Sequence, residues 1–451
     1  MKSTQHYNRA YFWAFISALV LCWSPSNLLA YLAPLISVAI FILLSGSHTV
    51  VRNVILWFLA WGIIITLYIV LTPGFIIHSA LFSILTYSSF FVVVVIPGRF
   101  VASLDLLDRM LVWTRGFVII EALVGITQGL YGFSRTGTFD GANGDFVEGT
   151  IHPALAPELA FSNSMFAINM ALLLVALLPD LILRRKGIVA VLLGSLSLIL
   201  ASVLHVLLML GAAGLVAILL YWPVSLRRRT TYLAAAGLVV TTILAFFALR
   251  GNFNTANAFA RQLLSGESYR SRAIERAVVE MPKDYPLLPL VGLGPGQFSS
   301  RAGLIGTGLY FGGPVYARPL PFFPQGMSQA FEDNTLDLWV AYARLIARSS
   351  GSGSTHQPFL SWLSVYTEWG ILALAAVFCF TIYLLISVRL VIYSYPQRVL
   401  ASSFGTGLLL ILLLGMQENY WEVPQAILVG LMILKVQYAV LLHPETRNKQ
   451  A

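Results

Sequence analysis

What most constrains this chain is a succession of apolar runs, each close to the length a bilayer demands and separated mostly by short polar turns. A spanning helix takes about 20 apolar residues. Runs of that kind lie at Tyr11–Trp23, Leu28–Leu44, Val50–Leu71, Phe75–Ile96, Met110–Tyr131, Leu159–Leu178, Gly187–Val203, His205–Trp222, Thr230–Leu249, Trp369–Tyr393, Leu400–Met416 and Pro424–Leu442. The stretch Gly187–Trp222 is too long for one upright helix at about 1.5 Å per residue, so it is divided near Ser202–His205. The pattern predicts an all-α, polytopic membrane protein with about 12 transmembrane helices. Composition agrees, because Asp, Glu, Lys and Arg make up only 10% of 451 residues, against about 25% in soluble domains. Lys2 and Arg9 before the first run resemble a signal peptide, but further runs follow at once, which predicts an uncleaved first span. Cys22 and Cys379 sit inside apolar runs and read neither as metal ligands nor as a bridge.

The net charge of +9 reflects orientation rather than nucleic-acid binding, because Lys and Arg in short loops stay on the cytoplasmic side. With twelve spans, Arg184-Arg185-Lys186, Arg227-Arg228-Arg229, Arg389, Arg398, Arg447 and Lys449 share one face, and both termini are expected to be cytoplasmic. The opposite face receives two sizeable loops, Gly132–Glu158 and Arg250–Gln357. The chain thus divides into residues 1–249 with about nine spans, a large outer loop at 250–357, and residues 358–451 with about three more.

The large loop holds 10 basic and 7 acidic residues, a surplus that suits an anionic ligand or lipid phosphates. Ala256, Phe259, Ala260, Leu263 and Leu264 have helical spacing, as do Ala273, Ile274, Ala277, Val278 and Met281, so two amphipathic helices are predicted. On the second, Tyr269, Arg272 and Arg276 form a polar stripe that Glu275 and Glu280 are spaced to brace. Planar guanidinium donors in this pattern fit a phosphate or pyrophosphate, although a solvated face of intrahelical ion pairs reads equally well. Gly292-Leu293-Gly294-Pro295-Gly296-Gln297-Phe298 predicts a tight turn; no Lys-Ser/Thr follows it, so a nucleotide loop is unsupported. A third helix is predicted over Asn334–Arg348, its apolar residues Leu338, Trp339, Tyr342, Leu345 and Ile346 facing protein or lipid. A Gly/Ser run then delivers His356 to a helix opened by Pro358, beside free amides that favour an anion. Ionisable groups inside spans are functional candidates by default. Glu368 is spaced to orient or relay protons for His356 or to bond a neighbouring helix, Glu121 reads as structural, and His205 sits near the outer end of a span. Trp362, Tyr366 and Trp369 offer either a sugar-stacking face or an interfacial belt.

Taken in order, Ser268-Tyr269-Arg270-Ser271-Arg272, Pro289 to Phe298, Thr355-His356-Gln357-Pro358-Phe359-Leu360 and Glu368-Trp369-Gly370-Ile371-Leu372 resemble the O-antigen ligase and polysaccharide polymerase superfamily. The resemblance covers the whole topology, while its motifs are confined to about Ser268–Leu372. It implies a glycosyltransferase of the bacterial inner membrane with a periplasmic loop. Such an enzyme moves glycan from a polyprenyl-pyrophosphate carrier to an acceptor glycan or lipid A core, without a cofactor or an obligatory metal. It further implies that Arg272 and Arg270 hold the pyrophosphate, with Arg276 and Arg301 as further candidates, and that His356 is the base or acceptor-positioning group. Glu368 is the second catalytic candidate. Two positions depart from the family pattern: Gln357 stands where Asn is usual, and Ser202-Val203-Leu204-His205 stands where many members have Ser-Arg, leaving His205, Arg301 or Arg135 to replace that Arg. Polymerase is slightly favoured over ligase. The rival from another class is a lipid-linked glycan flippase or transporter, for which twelve spans are equally natural; a metal-dependent oligosaccharyltransferase ranks low.

Overall fold

The computed structural model describes residues 4–137, 146–151, 162–223, 257, 261–262, 264–309, 324–348 and 359–443. Among them the chain is helical with no strand. In order the helices are α1 (Thr4–Cys22), α2 (Asn27–Ser45), α3 (His48–Leu71), α4 (Ile77–Thr86), α5 (Ser88–Val95), α6 (Leu104–Thr136), α7 (Ser162–Arg184), α8 (Ile188–Leu200) and α9 (Leu204–Tyr221). After these come α10 (Tyr269–Glu275), α11 (Met281–Asp284), α12 (Leu288–Val291), α13 (Arg301–Gly306), α14 (Gln329–Asn334), α15 (Leu336–Arg348), α16 (Ser361–Val391), α17 (Tyr395–Leu414) and α18 (Pro424–Leu442). Eight helices are long and apolar enough to cross a membrane, or nine if the bent pair α4–α5 is one span, among the described residues. This is a multi-pass membrane protein.

The expected span Thr230–Leu249 and most of the amphipathic segment Ala256–Leu264 lie outside the described residues. Every other expected span falls on a helix, but not each on a full crossing. The segment expected at Phe75–Ile96 is broken at Tyr87, where α4 and α5 meet at 59°. The segment expected at Gly187–Val203 gives only the 13 residues of α8. The division predicted within Gly187–Trp222 is present, with Ser202 in the left-handed region at φ 62° between α8 and α9.

Serine sets many helix starts, as a short hydroxyl that satisfies a free amide should. Ser268, Ser300 and Ser328 accept from Ser271, Gly303 and Phe331 at 2.9, 3.2 and 3.2 Å, fixing the starts of α10, α13 and α14. The third loop helix departs from the expectation, because Thr335 separates α14 from α15 and Glu332 and Asp333 belong to the former.

The centre of the bundle is α18, whose apolar stretch is 89% buried against α1, α2, α5, α6, α7, α16 and α17. A helix apolar all round belongs inside a bundle. By contrast α3 and α16 are only 17% buried, and Ile63, Val70, Phe380 and Leu390 point outward. Lys435 is the charged residue of that mostly apolar helix: its Nζ donates to Val93 O at 2.6 Å, Val92 O at 3.3 Å and Ile96 O, capping the C-terminal end of α5. A cation there meets both free carbonyls and the negative end of the helix dipole.

Candidate anion-binding site

The site begins at a break in α16. Gly370 has φ 78° and ψ 176° inside that helix, which interrupts the ladder and frees the Thr367 and Glu368 carbonyls. Leu293 N and Gly294 N donate to them, both at 2.9 Å. The two backbones cross so closely that a Cβ on Gly292 would lie 2.2 Å from Glu368 C, and one on Gly370 2.1 Å from Leu290 O. Only glycine fits either side of the crossing.

Glu368 continues the same junction. Its carboxylate is fully buried and accepts from the amides of Gly296 (2.7 Å), Phe298 (3.2 Å) and Ser300 (3.3 Å). Three backbone donors on one anion make a nest, so this side chain holds the glycine turn in shape. Its expected partner His356 lies outside the described residues, as do Thr355, Gln357 and Pro358. Gln297 fastens the turn to α4 by exchanging hydrogen bonds with Ile76, 2.8 Å from its amide and 3.0 Å to its carbonyl.

Immediately after Ser300 the turn delivers Arg301. This arginine is 1% exposed and forms an ion pair with the buried Glu418, while its amide donates to Glu422 Oε2 at 2.5 Å. Arg270, on α10, is 4% exposed and donates to Gln417 O at 2.7 Å and Gln417 Oε1 at 3.4 Å. Glu418, Tyr420 and Tyr342 lie close enough to act on its charge. Burial brings its guanidinium down to about 10, so it stays charged at neutral pH. Half-buried His205 joins the group from α9, with Nε2 3.4 Å from the Tyr420 hydroxyl and Arg270 within electrostatic range. The structure thus gathers Arg270, Arg301 and His205 around the turn 417–422, from four segments remote in sequence.

Burial pushes the Glu418 carboxyl up, against the pull of Arg301. Glu422 is held well above the ordinary carboxylate value, first by burial and then by the nearby charge of Glu368. Two buried guanidiniums thus stand beside two carboxyls whose burial disfavours their charged forms.

The other sequence candidates are placed differently. Arg272 is exposed. The expected i+4 brace of Arg276 by Glu280 is not an ion pair among the described residues, although the Glu280 charge acts on it: Asp337 takes it in a bidentate pair at 2.6 and 2.8 Å, with Asn334 O at 2.9 Å. The reason is a π turn over Arg276–Glu280, which shifts the face register; Ala273, Ala277 and Met281 pack inward while Ile274 and Val278 point out. Glu121 is structural, accepting from Thr150 N at 2.9 Å and Thr150 Oγ1 at 2.7 Å. Trp362 and Trp369 are occupied in packing, the first donating to Leu412 O at 3.1 Å and the second edge-on to Trp61. Sequence reasoning missed Glu418, Glu422 and Lys435. The dense polar turn Gln417-Glu418-Asn419-Tyr420-Trp421-Glu422 was the available signal for the first two.

No cluster of three or more His, Cys, Asp and Glu able to hold a metal occurs among the described residues. In comparison with known proteins, no family model matches the chain, and no curated protein or solved structure matches it significantly.

Proposed function

We propose that the chain is a membrane glycosyltransferase of the O-antigen ligase and polymerase type. It moves glycan from a polyprenyl-pyrophosphate carrier to an acceptor sugar hydroxyl at the periplasmic face of the bacterial inner membrane, with loop 250–357 periplasmic and both termini cytoplasmic. The observation that carries this reading is the convergence of buried Arg270 and Arg301 with His205 beside the turn 417–422. Support also comes from where the segment bearing His356 returns to described structure. Phe359 stacks on Trp339, and Ser361 donates through N and Oγ to Glu418 O at 3.3 and 3.1 Å, at the carboxylate residue that pairs with Arg301.

In this mechanism the acceptor hydroxyl attacks the anomeric carbon, the bond from that carbon to the phosphate oxygen breaks, and pyrophosphate leaves with the electron pair. Arg270 and Arg301 offset the growing negative charge, with exposed Arg272 as an outer ligand, and the His356 imidazole takes the hydroxyl proton. The resident carboxylate of Glu418 yields Arg301 to the phosphate. Polymerisation on a second carrier-linked glycan is favoured, with ligation to lipid A core as the alternative.

The test is incubation of reconstituted protein with purified polyprenyl-pyrophosphate oligosaccharide alone, followed by product sizing, with His356→Ala as control. A His356-dependent ladder is expected; no transfer to either acceptor class sinks the reading. A broken α4–α5 span and a lysine within a span also suit a lipid-linked glycan transporter. That second reading predicts movement of the lipid across vesicles with no new glycosidic bond.

A further inference from the structure

The start of the loop helix carries donors that the anion-binding reading does not use. Trp339 and Tyr342 follow at i and i+3 on α15 and so share a side of it, Thr335 precedes its first turn with its carbonyl accepting from the Trp339 amide at 3.0 Å, and the three are only 7%, 1% and 0% exposed. The Thr335 hydroxyl, the Trp339 indole nitrogen and the Tyr342 hydroxyl nevertheless have no hydrogen-bond partner among the described residues. Buried polar groups are nearly always paired, and three orphans within eight residues at the start of α15 share an explanation if a ligand supplies their partners. Tyr342 links this group to the site already described, lying within electrostatic range of Glu418, Arg301 and Arg270. Trp339 stacks on Phe359 with ring centres 5.8 Å apart and planes 12° apart, and both pack with Leu304 of α13. Phe359 and Tyr342 engage the Trp339 ring itself, so what remains for a ligand is its indole donor with the two hydroxyls, and unpaired donors beside guanidinium groups suit the hydroxyls of a sugar joined to phosphate.

Resting on the reading above, we infer that Thr335, Trp339 and Tyr342 form the subsite for the sugar attached directly to the carrier's pyrophosphate. The test uses the full chain in lipid nanodiscs and measures binding of farnesyl pyrophosphate against farnesyl-pyrophosphoryl glucose, galactose and N-acetylglucosamine. Wild type is expected to bind at least one sugar-bearing lipid about tenfold more tightly than the sugar-free lipid. Thr335→Val, Trp339→Phe and Tyr342→Phe are each expected to erode that preference by about fivefold or more, because a substrate hydroxyl loses its partner. Sugar-free binding should stay within about twofold, and the thermal stability of the empty variants should hold or rise, since each change removes an unpaired buried donor. Variants that keep the full preference, or that weaken both lipids alike, overturn the subsite. So does a wild type that binds farnesyl pyrophosphate without favouring any sugar, an outcome that spares the anion-binding reading. A wild type that binds neither kind of lipid removes both.

Discussion

Replacing Arg301 by methionine isolates the central ion pair. Arg301 is 1% and Glu418 0% exposed, so the substitution leaves a carboxylate stranded where water does not reach, and losing one partner of such a pair costs about 3–5 kcal/mol. The cost depends on pH with a definite sign. Burial already raises Glu418, and the Arg301 charge is the strongest influence that lowers it; without that charge the folded carboxyl rises further. A raised carboxyl contributes its full stability below the unfolded value, about 4.3, and loses it as pH climbs through the folded value. The Arg301→Met deficit should therefore be largest near pH 8 and shrink toward pH 4. Arg301→Met combined with Glu418→Leu should recover most of the loss, since an apolar replacement of both partners is about neutral or better. Equilibrium unfolding in mixed micelles from pH 4 to 8, run as a double-mutant cycle, measures all of this. A single-variant loss below about 1 kcal/mol at every pH would refute the claim that the pair is desolvated.

Glu422→Gln should flatten part of the wild-type decline in stability with rising pH, because the folded protein holds that proton well above the ordinary carboxylate range; the same pH series reads it. Glu368→Ala orphans the amides of Gly296, Phe298 and Ser300 and is expected to cost at least about 3 kcal/mol, with Glu368→Gln retaining part of that, by unfolding in micelles. Gly370→Ala places a methyl 2.1 Å from Leu290 O at φ 78°, and size-exclusion profiles should show misfolded or aggregated protein. His356→Ala should abolish transfer while leaving expression and membrane insertion intact; wild-type turnover would remove its catalytic role. Arg272→Lys keeps the charge but loses the planar fork, so carrier binding should weaken measurably in a lipid-binding assay.

Most of the helices were legible because a run of twenty apolar residues has one physical outcome in a bilayer. Their ranks were not: Pro424–Leu442 matches its expected limits to the residue, yet nothing in an all-apolar run tells whether it meets lipid or other helices. The site was legible in part. Arg270 and the glycine turn were readable as local pattern, and His205 was already a candidate stand-in for a missing arginine. The partner choices were not, since Arg276 finds Asp337 across a loop in preference to its helical neighbours once a π turn intervenes. Glu368 looked like a proton carrier because it stands at a helix mouth near a histidine. The break at Gly370, which turns it toward the amides of the glycine turn, is a tertiary event.

The place of α18 has a consequence for biogenesis. It is synthesised after every helix it packs against, so those helices enter the bilayer around a gap that only a later segment fills. Until it arrives, the carbonyl end of α5 has no ammonium to meet, and the turn 417–422 has no anchor at its downstream side. The bundle therefore cannot reach its final packing until α18 is in place, whatever the order in which the earlier helices insert.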